Sequence, residues 1–282
     1  QDALKKVIQS CDPQIVIHMA AQALVDKSYH FPVDTFATNV LGTANLLEAL
    51  RTLPTLEVVL VVTSDKVYEN SDRIGIAFSE ESALGGDDPY SASKVAQELV
   101  TRAWEKSFFG DKKTILATAR AGNVIGGGDF SKSRLVPNII QSIKNRQTLK
   151  LRNPKATRPW QHVMDVNFGY LRYIQKLTSK DKKIPNSMNF GPSSPLNYSV
   201  SAVAKKIVAV LNPDLKIDST KLNFKEKMFL SVDSSSAFQN LRWSAKLDID
   251  EAILLTCEWY KGYLDGEDMT AITKSQLLRY AN

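Results

Sequence analysis

The sequence predicts an α/β fold in which a doubly wound parallel sheet is followed by a smaller C-terminal lobe. Two observations lead to this prediction. Short apolar runs alternate with longer segments of helical periodicity, which is typical of parallel strands covered by helices. After about residue 128 the elements become shorter and richer in Pro, Arg and Asn. We therefore expect a sheet-forming region over residues 1–128 and mainly a smaller lobe over residues 129–282.

The apolar pattern defines each element of the sheet-forming region. Leu4, Val7, Ile8 and Cys11 share one helical face, and Asp12 with the proline after it ends that helix. The strands that follow are continuous apolar runs, which indicates burial on both faces. The predicted elements are a strand over 14–21, a helix over 32–53, a strand over 57–64, a helix over 88–109 and a strand over 114–125.

The C-terminal region has a less regular pattern. Residues 134–146 and 158–177 hold more Pro, Arg and Asn in short elements. Segments near 160–192 are expected to return to the sheet, while 198–212 and 248–264 are predicted to be amphipathic helices.

Composition limits the class of ligand. With 43% apolar and 23% charged residues the chain is an ordinary globular protein, and its net charge of +6 allows an anionic ligand. The cations are scattered among acids, so we predict a phosphate-bearing small molecule and no nucleic acid. The two cysteines, Cys11 and Cys257, form no C-x-x-C pair, and the histidines have no metal-ligand spacing. We therefore predict a reduced, cytoplasmic protein without a metal or a membrane span.

Polar groups stand where three predicted strands end. The strands finish in HMAAQ, TSDK and ARAGNVIGGGD, and ligands of open parallel sheets bind at the carboxyl ends of strands. For TSDK alone, capping of the next turn by Ser64 or Asp65 is an equally good interpretation. Three such strand ends at one edge of the sheet predict a ligand-binding site there.

The motif YSASK places Tyr90 and Lys94 four residues apart, on one face of a helix. We expect the ammonium of Lys94 to lower the pKa of the Tyr90 phenol, which could then remove a proton from a substrate hydroxyl. A Y-x-x-x-K pair alone is more often an exposed surface pair. Its position after the strand that ends in Ser64 is what favours a catalytic pair.

The glycines at 126–128 are not predicted to be a phosphate loop, because a Pro-containing segment follows them instead of a long helix. They are expected to allow close backbone approach or a tight crossing between lobes. Arg134, Arg152 and Arg158 suit phosphate recognition, although each alone is as readily a solvated surface residue.

Taken in order, these motifs resemble the extended short-chain dehydrogenases/reductases, and most closely their nucleotide-sugar 4,6-dehydratase branch. The similarity extends over essentially the whole chain. The SDK triplet, the NVIGGGD run and RPWQHV carry it together. The stretches concerned are HMAAQALVDKSYHFPVDTFATNVLGTANLLEA, VTSDKVYEN, DPYSASK, ARAGNVIGGGD, LRNPKATRPWQHV and LTCEWYKGYLDGEDM.

The resemblance implies a Rossmann-like sheet and a role for each polar group at the site. Tyr90 would be the base in oxidation of the sugar at C4, with Lys94 lowering its pKa and holding the cofactor ribose. Ser64 would share a hydrogen bond with the reacting hydroxyl, and Asp65 would protonate the departing C6 hydroxyl. Lys66 stands where relatives acting on dTDP-glucose have the glutamate that removes the C5 proton. Two interpretations of Lys66 stay open: a neutral base, or an ammonium that stabilises the enolate.

The resemblance also implies the ligands. NAD would be the retained cofactor, lined by Ala20 and Ala21 and supported by Asn39. The substrate would be a nucleotide sugar, CDP-glucose in particular, on a route to deoxysugar precursors of lipopolysaccharide. A homodimer paired through helices is implied as well. The matching substrate-side residues are Asn123, Arg134, Arg158 and Asn189.

Alternative functions follow from the same motifs. A dehydratase acting on a UDP-linked amino sugar fits the Asp65–Lys66 pair, whereas a sugar-nucleotide 4-epimerase would not need it. A non-catalytic binding member of the fold is disfavoured by the intact Ser64, Tyr90 and Lys94.

One departure from the family pattern concerns the N-terminus. The first strands of the family, with their glycine fingerprint and acidic ribose-binding residue, are not in the sequence. We expect roughly two βα units of about 30 residues each to be missing, and the chain to be a fragment with weakened NAD affinity and an exposed sheet edge.

Overall fold

Strands and helices alternate along the chain in the predicted order. The computed structural model describes residues 2–110, 113–179, 184–193, 198–220 and 226–281. The strands are β1 Ile15–His18, β2 Val58–Val62, β3 Ile115–Ala121, β4 Asn123–Ile125, β5 Leu149–Leu151, β6 Thr157–Arg158, β7 Trp160–His162, β8 Ser187–Phe190, β9 Tyr198–Ser199 and β10 Ile217–Ser219. The α-helices are α1 Asp2–Cys11, α2 Val25–His30, α3 Pro32–Phe36, α4 Gly42–Leu50, α5 Pro89–Trp104, α6 Leu135–Asn145, α7 Val163–Thr178, α8 Val200–Leu211, α9 Ser235–Leu241, α10 Ile249–Asp265 and α11 Met269–Ala281.

Four parallel strands form the central sheet in the order β1-β2-β3-β8. The register pairs Ile15 with Val58 and Val58 with Ile115. The last strand, β8, lies beside β3, so the chain returns to the sheet as predicted. These parallel pairings confirm the predicted α/β fold class.

The first strand differs from its prediction. In the described residues β1 pairs only with β2, and Ile15 and Ile17 are 44% and 39% exposed. The prediction that this run is buried on both faces is therefore wrong. An edge position explains the difference, because the strand has a neighbour on one side only.

Helices cover both faces of the sheet. Val58 and Leu60 of β2 point into a core with Tyr170 and Tyr173 of α7. Val59 of β2 points to the opposite face, where a second core contains residues of α1 and α4. Successive side chains of a strand point to opposite faces, so the continuous apolar run of β2 is buried on both sides, as predicted.

The predicted strand over 114–125 is two strands. β3 belongs to the central sheet, while β4 pairs with β7 in a separate two-stranded sheet. The break falls at Gly122, where a Cβ atom would lie 2.7 Å from the ring of Pro159. The apolar pattern runs through this position, but the close approach of another segment turns the chain there.

The C-terminal lobe has its own core. Helices α6, α8 and α10 pack around a cluster that includes Ile139, Ile207 and Tyr260. The glycine run meets this cluster: a Cβ atom on Gly127 would overlap the indole of Trp259. This agrees with a tight crossing between the sheet-forming region and the C-terminal lobe. Helices α9 and α11 were not predicted.

Membrane spans and metal-ligand clusters were searched for within the ranges described above. No helix in these ranges is long and apolar enough to cross a membrane. No group of three or more His, Cys, Asp or Glu side chains that could hold a metal ion lies in them either.

Candidate active site

A cleft of about 480 Å³ opens at the carboxyl ends of β1, β2 and β3. Its walls come from both the sheet and the second lobe. The sheet side is formed by loops that follow the strands, and the opposite side by α6, β5 and the segment around residue 158. The predicted meeting of three strand ends is therefore found in the structure.

The turn after β2 brings two of the three SDK side chains into contact. Ser64 is the N-cap of a 3₁₀ turn over Asp65–Val67, and its Oγ accepts a hydrogen bond from the Lys66 amide at 3.2 Å. The same hydroxyl donates to Asp65 Oδ1 at 3.0 Å. Both alternatives for Ser64 thus hold at once: it caps the turn and also lines the cleft.

Asp65 is a buried acid. Its side chain lies on the cleft wall, the residue is 2% exposed, and Oδ2 has no hydrogen-bond partner in the described chain. Burial raises the pKa of Asp65 to about 6, although the nearby Lys66, Ser64 and Arg158 favour its ionised form. A carboxyl with this pKa can hold a proton near neutral pH and donate it.

Helix α5 positions Tyr90 and Lys94. Asp88 caps the helix by accepting hydrogen bonds from the amides of Tyr90 and Ser91 at 2.9 and 3.0 Å, and Pro89 occupies the first turn. Tyr90 is 7% and Lys94 3% exposed, and both line the cleft. The exposed-surface interpretation of this pair is therefore wrong.

The electrostatics of the pair differ from the prediction. Burial raises the pKa of Tyr90 to about 12, although a hydrogen bond with Ser64 opposes the rise. Burial also lowers the pKa of Lys94 to about 8, against the effect of Glu98. The predicted lowering of the Tyr90 pKa is wrong here, because desolvation of the phenol, reinforced by Asp65 and Asp88, outweighs the opposing effects of Ser64 and Arg134.

Lys94 has donor capacity left for a ligand. Its ammonium donates to the Val62 carbonyl at 3.3 Å, while an ammonium can donate three hydrogen bonds. Small side chains line the neighbouring wall: Ala21 belongs to the cleft, and Ala20 precedes it in the loop after β1. A ribose with its hydroxyl groups fits this combination of a buried cation and a small-residue wall.

Asn39 supports the cleft from behind. It is fully buried, and its amide donates to Ser93 Oγ at 2.8 Å and to the Gln22 carbonyl at 3.1 Å. Its carbonyl accepts from the Gln22 amide at 2.7 Å. Asn39 therefore ties the loop after β1 to α5, one residue before Lys94.

Three of the four predicted substrate-side residues line the cleft, namely Asn123, Arg134 and Arg158. Arg134 is partly exposed and forms an ion pair of 3.2 Å with Asp129. Arg158 is 3% exposed. Asn123 and Arg134 offer polar groups to a ligand that would enter from the second lobe, whereas most donors of the Arg158 guanidinium are used by backbone carbonyls and by Glu226.

Asn189, the fourth residue, is placed elsewhere. It is fully buried on β8, accepts a hydrogen bond from the Tyr68 hydroxyl at 2.6 Å and donates to the carbonyls of Phe78 and Asp233. All of its side-chain groups are used, and it is not part of the cleft wall. The prediction of a substrate contact from Asn189 is not supported by its position.

A buried ion pair lies under the cleft. Glu98 accepts two hydrogen bonds from the guanidinium of Arg120, both of 2.9 Å, and both side chains are 4% exposed. Thr63 and Thr118 donate to the same carboxylate at 2.6 and 2.7 Å. The end of β2 is therefore fixed to β3 and α5 immediately before Ser64.

Sequence reasoning missed Glu226. Its carboxylate lies in the cleft wall, 3.3 Å from Lys66 Nζ and 3.3 Å from an Arg158 nitrogen. No local motif marks it, because it follows β10 in the second lobe and meets Lys66 only in the folded chain. Its position within KEK, a single acid between two cations, was the one available signal.

The parallel sheet, with a Tyr–Lys pair on the helix at its carboxyl edge, is the arrangement predicted for an extended short-chain dehydrogenase/reductase. Comparison with known proteins agrees with this class. A family model described as GDP-mannose 4,6 dehydratase matches residues 1–256. The chain belongs to that family.

Individual relatives and solved structures are similar to this chain over most of its length. A CDP-glucose 4,6-dehydratase of Salmonella typhimurium is 37% identical over 286 residues, which cover 99% of this chain and 79% of the relative. Among solved structures, a UDP-glucose 4-epimerase of Thermotoga maritima with UDP-glucose has a TM-score of 0.81 at 18% identity, covering 93% of this chain and 82% of its own. A dTDP-glucose 4,6-dehydratase of Bacillus anthracis in complex with NAD has a TM-score of 0.75 at 21% identity, covering 92% and 76%. An epimerase and a dehydratase share this fold. The fold alone therefore does not indicate which reaction the protein catalyses, and the residues of the site have to be considered.

Proposed function

We propose that the protein converts CDP-glucose into CDP-4-keto-6-deoxyglucose and water, with NAD as the retained cofactor. The observation that carries this proposal is one cleft that joins Asp65 and Lys66 to Tyr90 and Lys94. A 4-epimerase needs the tyrosine and the lysine of YSASK but has no use for a buried acid with an amine beside it. The 37% identity to a CDP-glucose 4,6-dehydratase supports the choice of the sugar nucleotide.

Lys94, the small residues at 20 and 21 and the support from Asn39 would hold the nicotinamide end of NAD. When bound, NAD supplies the acceptor for hydride from C4 and the donor of hydride to C6. Tyr90 would remove the proton of the C4 hydroxyl. Because burial raises the pKa of Tyr90 to about 12, the positive charges of Lys94 and of NAD, when bound, would have to lower it for this step.

Elimination of water follows oxidation, because a ketone at C4 acidifies the proton on C5. Asp65 protonates the C6 hydroxyl as it leaves, for which its pKa of about 6 is suited. Burial of the acid makes this possible, since an exposed aspartate would be ionised at neutral pH. Asn123, Arg134 and Arg158 bind the nucleotide diphosphate side, where guanidinium groups match phosphate oxygens.

The test is conversion of CDP-glucose by the natural full-length protein in the presence of NAD, followed as the absorbance of the 4-keto-6-deoxy product in base. UDP-glucose and a UDP-linked amino sugar serve as competing substrates, and Tyr90→Phe as the inactive control. We expect the 4-keto-6-deoxy product to form from CDP-glucose and not from the two UDP-linked sugars. Turnover of a UDP sugar without turnover of CDP-glucose, or formation of a 4-epimer, would refute the assignment.

We also propose that two copies of the chain pair through an apolar face of α3, α4 and the π-helical turn between them. Val33 and Leu41 on this face are 78% and 57% exposed, and a second copy would remove them from water. The face consists of Pro32, Val33, Phe36, Ala37, Val40, Leu41 and Ala44. Light scattering should give a dimer mass for the protein and a monomer mass for Val33→Asp. The matched control is Ile74→Asp, at a position 77% exposed away from this face, which should stay dimeric.

The separate, unpaired cysteines support a cytoplasmic location. A 4-keto-6-deoxy sugar nucleotide is the chemical class from which deoxysugars of surface polysaccharides such as lipopolysaccharide are made. Loss of such sugars from the polysaccharide after deletion of the gene would support that placement.

A further inference from the structure

The ammonium of Lys66 depends on one partner. Its Nζ donates to Glu226 Oε1 at 3.3 Å, and within the described ranges no other acceptor is within hydrogen-bond distance of it. The two side chains are 19% and 23% exposed, so the pair is largely shielded from water. The contact joins the strand end of the sheet to a segment of the second lobe.

Arg158, the other cation at Glu226, does not depend on it in the same way. Its guanidinium donates to the carbonyls of Thr157 at 2.8 Å, Lys227 at 2.8 Å and Met228 at 3.3 Å. These backbone acceptors hold Arg158 in place whether or not Glu226 is charged. Removing the carboxylate charge should therefore affect Lys66 more than Arg158.

Glu226 itself is held in its ionised form. Burial favours the neutral acid, but Lys66 and Arg158 outweigh burial and lower the pKa of Glu226 below its usual value. A permanent negative charge 3.3 Å from Lys66 Nζ attracts the side chain of Lys66 and fixes the position of its nitrogen.

We propose that Glu226 is a positioning residue that holds the side-chain nitrogen of Lys66 in place beside Asp65, so that Lys66 serves the reaction by its positive charge. The inference rests on the proposed function. Asp65 gives its proton to the leaving C6 hydroxyl, and its carboxylate is then free to take up the C5 proton, so that water is released and the acid is regenerated. As the C5 proton leaves the 4-keto sugar, negative charge develops on the C4 oxygen, and a fixed ammonium stabilises that charge. Of the two interpretations of Lys66 that the sequence leaves open, the structure favours the enolate stabiliser.

Other charges around Lys66 do not replace Glu226. Asp65 adjoins it, but its carboxylate accepts a hydrogen bond from Ser64, and in the described residues it forms no ion pair with Lys66. Asp87 is 73% exposed and forms its own ion pair with Lys227. A smaller pocket adjoins the cleft at Lys66. The titratable and charged groups that line the cleft or this pocket, or lie near Glu226, are Tyr29, Asp65, Tyr68, Asp87, Asp88, Tyr90, Lys94, Asp129, Arg134, Lys150, Arg152, Arg158, Tyr170, Glu226 and Lys227.

The first test measures the ion pair of Lys66 without catalysis. Acetic anhydride in limiting amount modifies amines that are free to react, and mass spectrometry reports the acetylation of Lys66. In Glu226→Gln the rate at neutral pH should rise about 3- to 10-fold, because the Lys66 nitrogen is no longer held in the shielded ion pair. Asp87→Asn, which removes a carboxylate from the same region without touching Lys66, should leave the rate unchanged. An unchanged rate in Glu226→Gln would overturn the proposal.

The second test uses turnover of CDP-glucose. Glu226→Gln should lower kcat about tenfold, because the Lys66 nitrogen is no longer held beside the reacting sugar, and should leave KM within about twofold. Glu226→Asp should recover part of kcat. If Lys66 were a neutral base, Glu226→Gln would instead be more active at neutral pH, and its acidic limb would move down.

The third test replaces Lys66 itself. Arginine stays charged at every accessible pH and cannot act as a base. Lys66→Arg should therefore exceed Lys66→Met in kcat by about tenfold or more. Equal inactivity of both variants would contradict the proposal. Failure of the wild-type protein to use CDP-glucose would refute the proposed function alone, since the acetylation test does not involve that substrate.

Discussion

Asp65→Asn should make the protein more stable at neutral pH while it abolishes elimination. Burial raises the pKa of this carboxyl from 3.8 to about 6 in the folded chain. The folded state therefore binds the proton more tightly than the unfolded state. The stability that depends on this proton is complete below about pH 4 and is lost as the pH rises through about 6.

The size of the effect follows from the same pKa. A rise of this size corresponds to roughly 3 kcal/mol, because one pKa unit is about 1.4 kcal/mol. Asparagine is neutral at every pH and has nearly the same shape, so it avoids the cost of a buried charge. Asp65→Asn should exceed the wild type by up to about 3 kcal/mol near pH 8 and equal it near pH 4.

The assay is urea unfolding of the wild type, Asp65→Asn and the exposed control Asp87→Asn across that pH range. The difference between the wild type and Asp65→Asn should grow with pH, whereas the control should show no such trend. A variant less stable than the wild type at pH 8, or a gap independent of pH, would refute the reasoning. It would mean that Lys66 and Arg158 hold Asp65 ionised.

Three further predictions concern other regions of the molecule. Gly127→Ala should lower the free energy of unfolding by about 1–3 kcal/mol, measured in urea, because the new methyl group overlaps the indole of Trp259. Glu98→Gln should cost about 3–5 kcal/mol in the same measurement, since it leaves the buried guanidinium of Arg120 without its counter-ion; a loss below 1 kcal/mol would contradict this. Tyr90→Phe should fold normally by circular dichroism yet show no oxidation at C4, and residual reduction of NAD at the wild-type rate would exclude Tyr90 as the base.

The sequence predicted the sheet well because strand patterns are local. The valine-rich run of β2 is buried by neighbours on both sides, and continuous apolar runs signal such burial. The same apolar pattern gave a wrong prediction of full burial for β1, because the pattern does not indicate how many strands lie beside a given strand. It also ran through Gly122, since a turn caused by the approach of Pro159 leaves no trace in hydrophobicity.

The site was predictable to the extent that its members are near each other in sequence. Ser64, Asp65 and Lys66 share a strand end, and the YSASK pair shares a helix face. Glu226 meets Lys66 across 160 positions, a contact that no spacing rule could anticipate. Asn189 shows the opposite error, because a motif position suggested a ligand contact where the folded chain uses the amide internally.

The contact between Lys66 and Glu226 limits which residues can replace Lys66. A graft that gives this chain the glutamate of the dTDP-glucose relatives, Lys66→Glu, would set two carboxylates against each other where an ion pair of 3.3 Å now stands. A change of position 226 would remove this repulsion, so we expect Lys66→Glu to be better tolerated together with Glu226→Lys than alone.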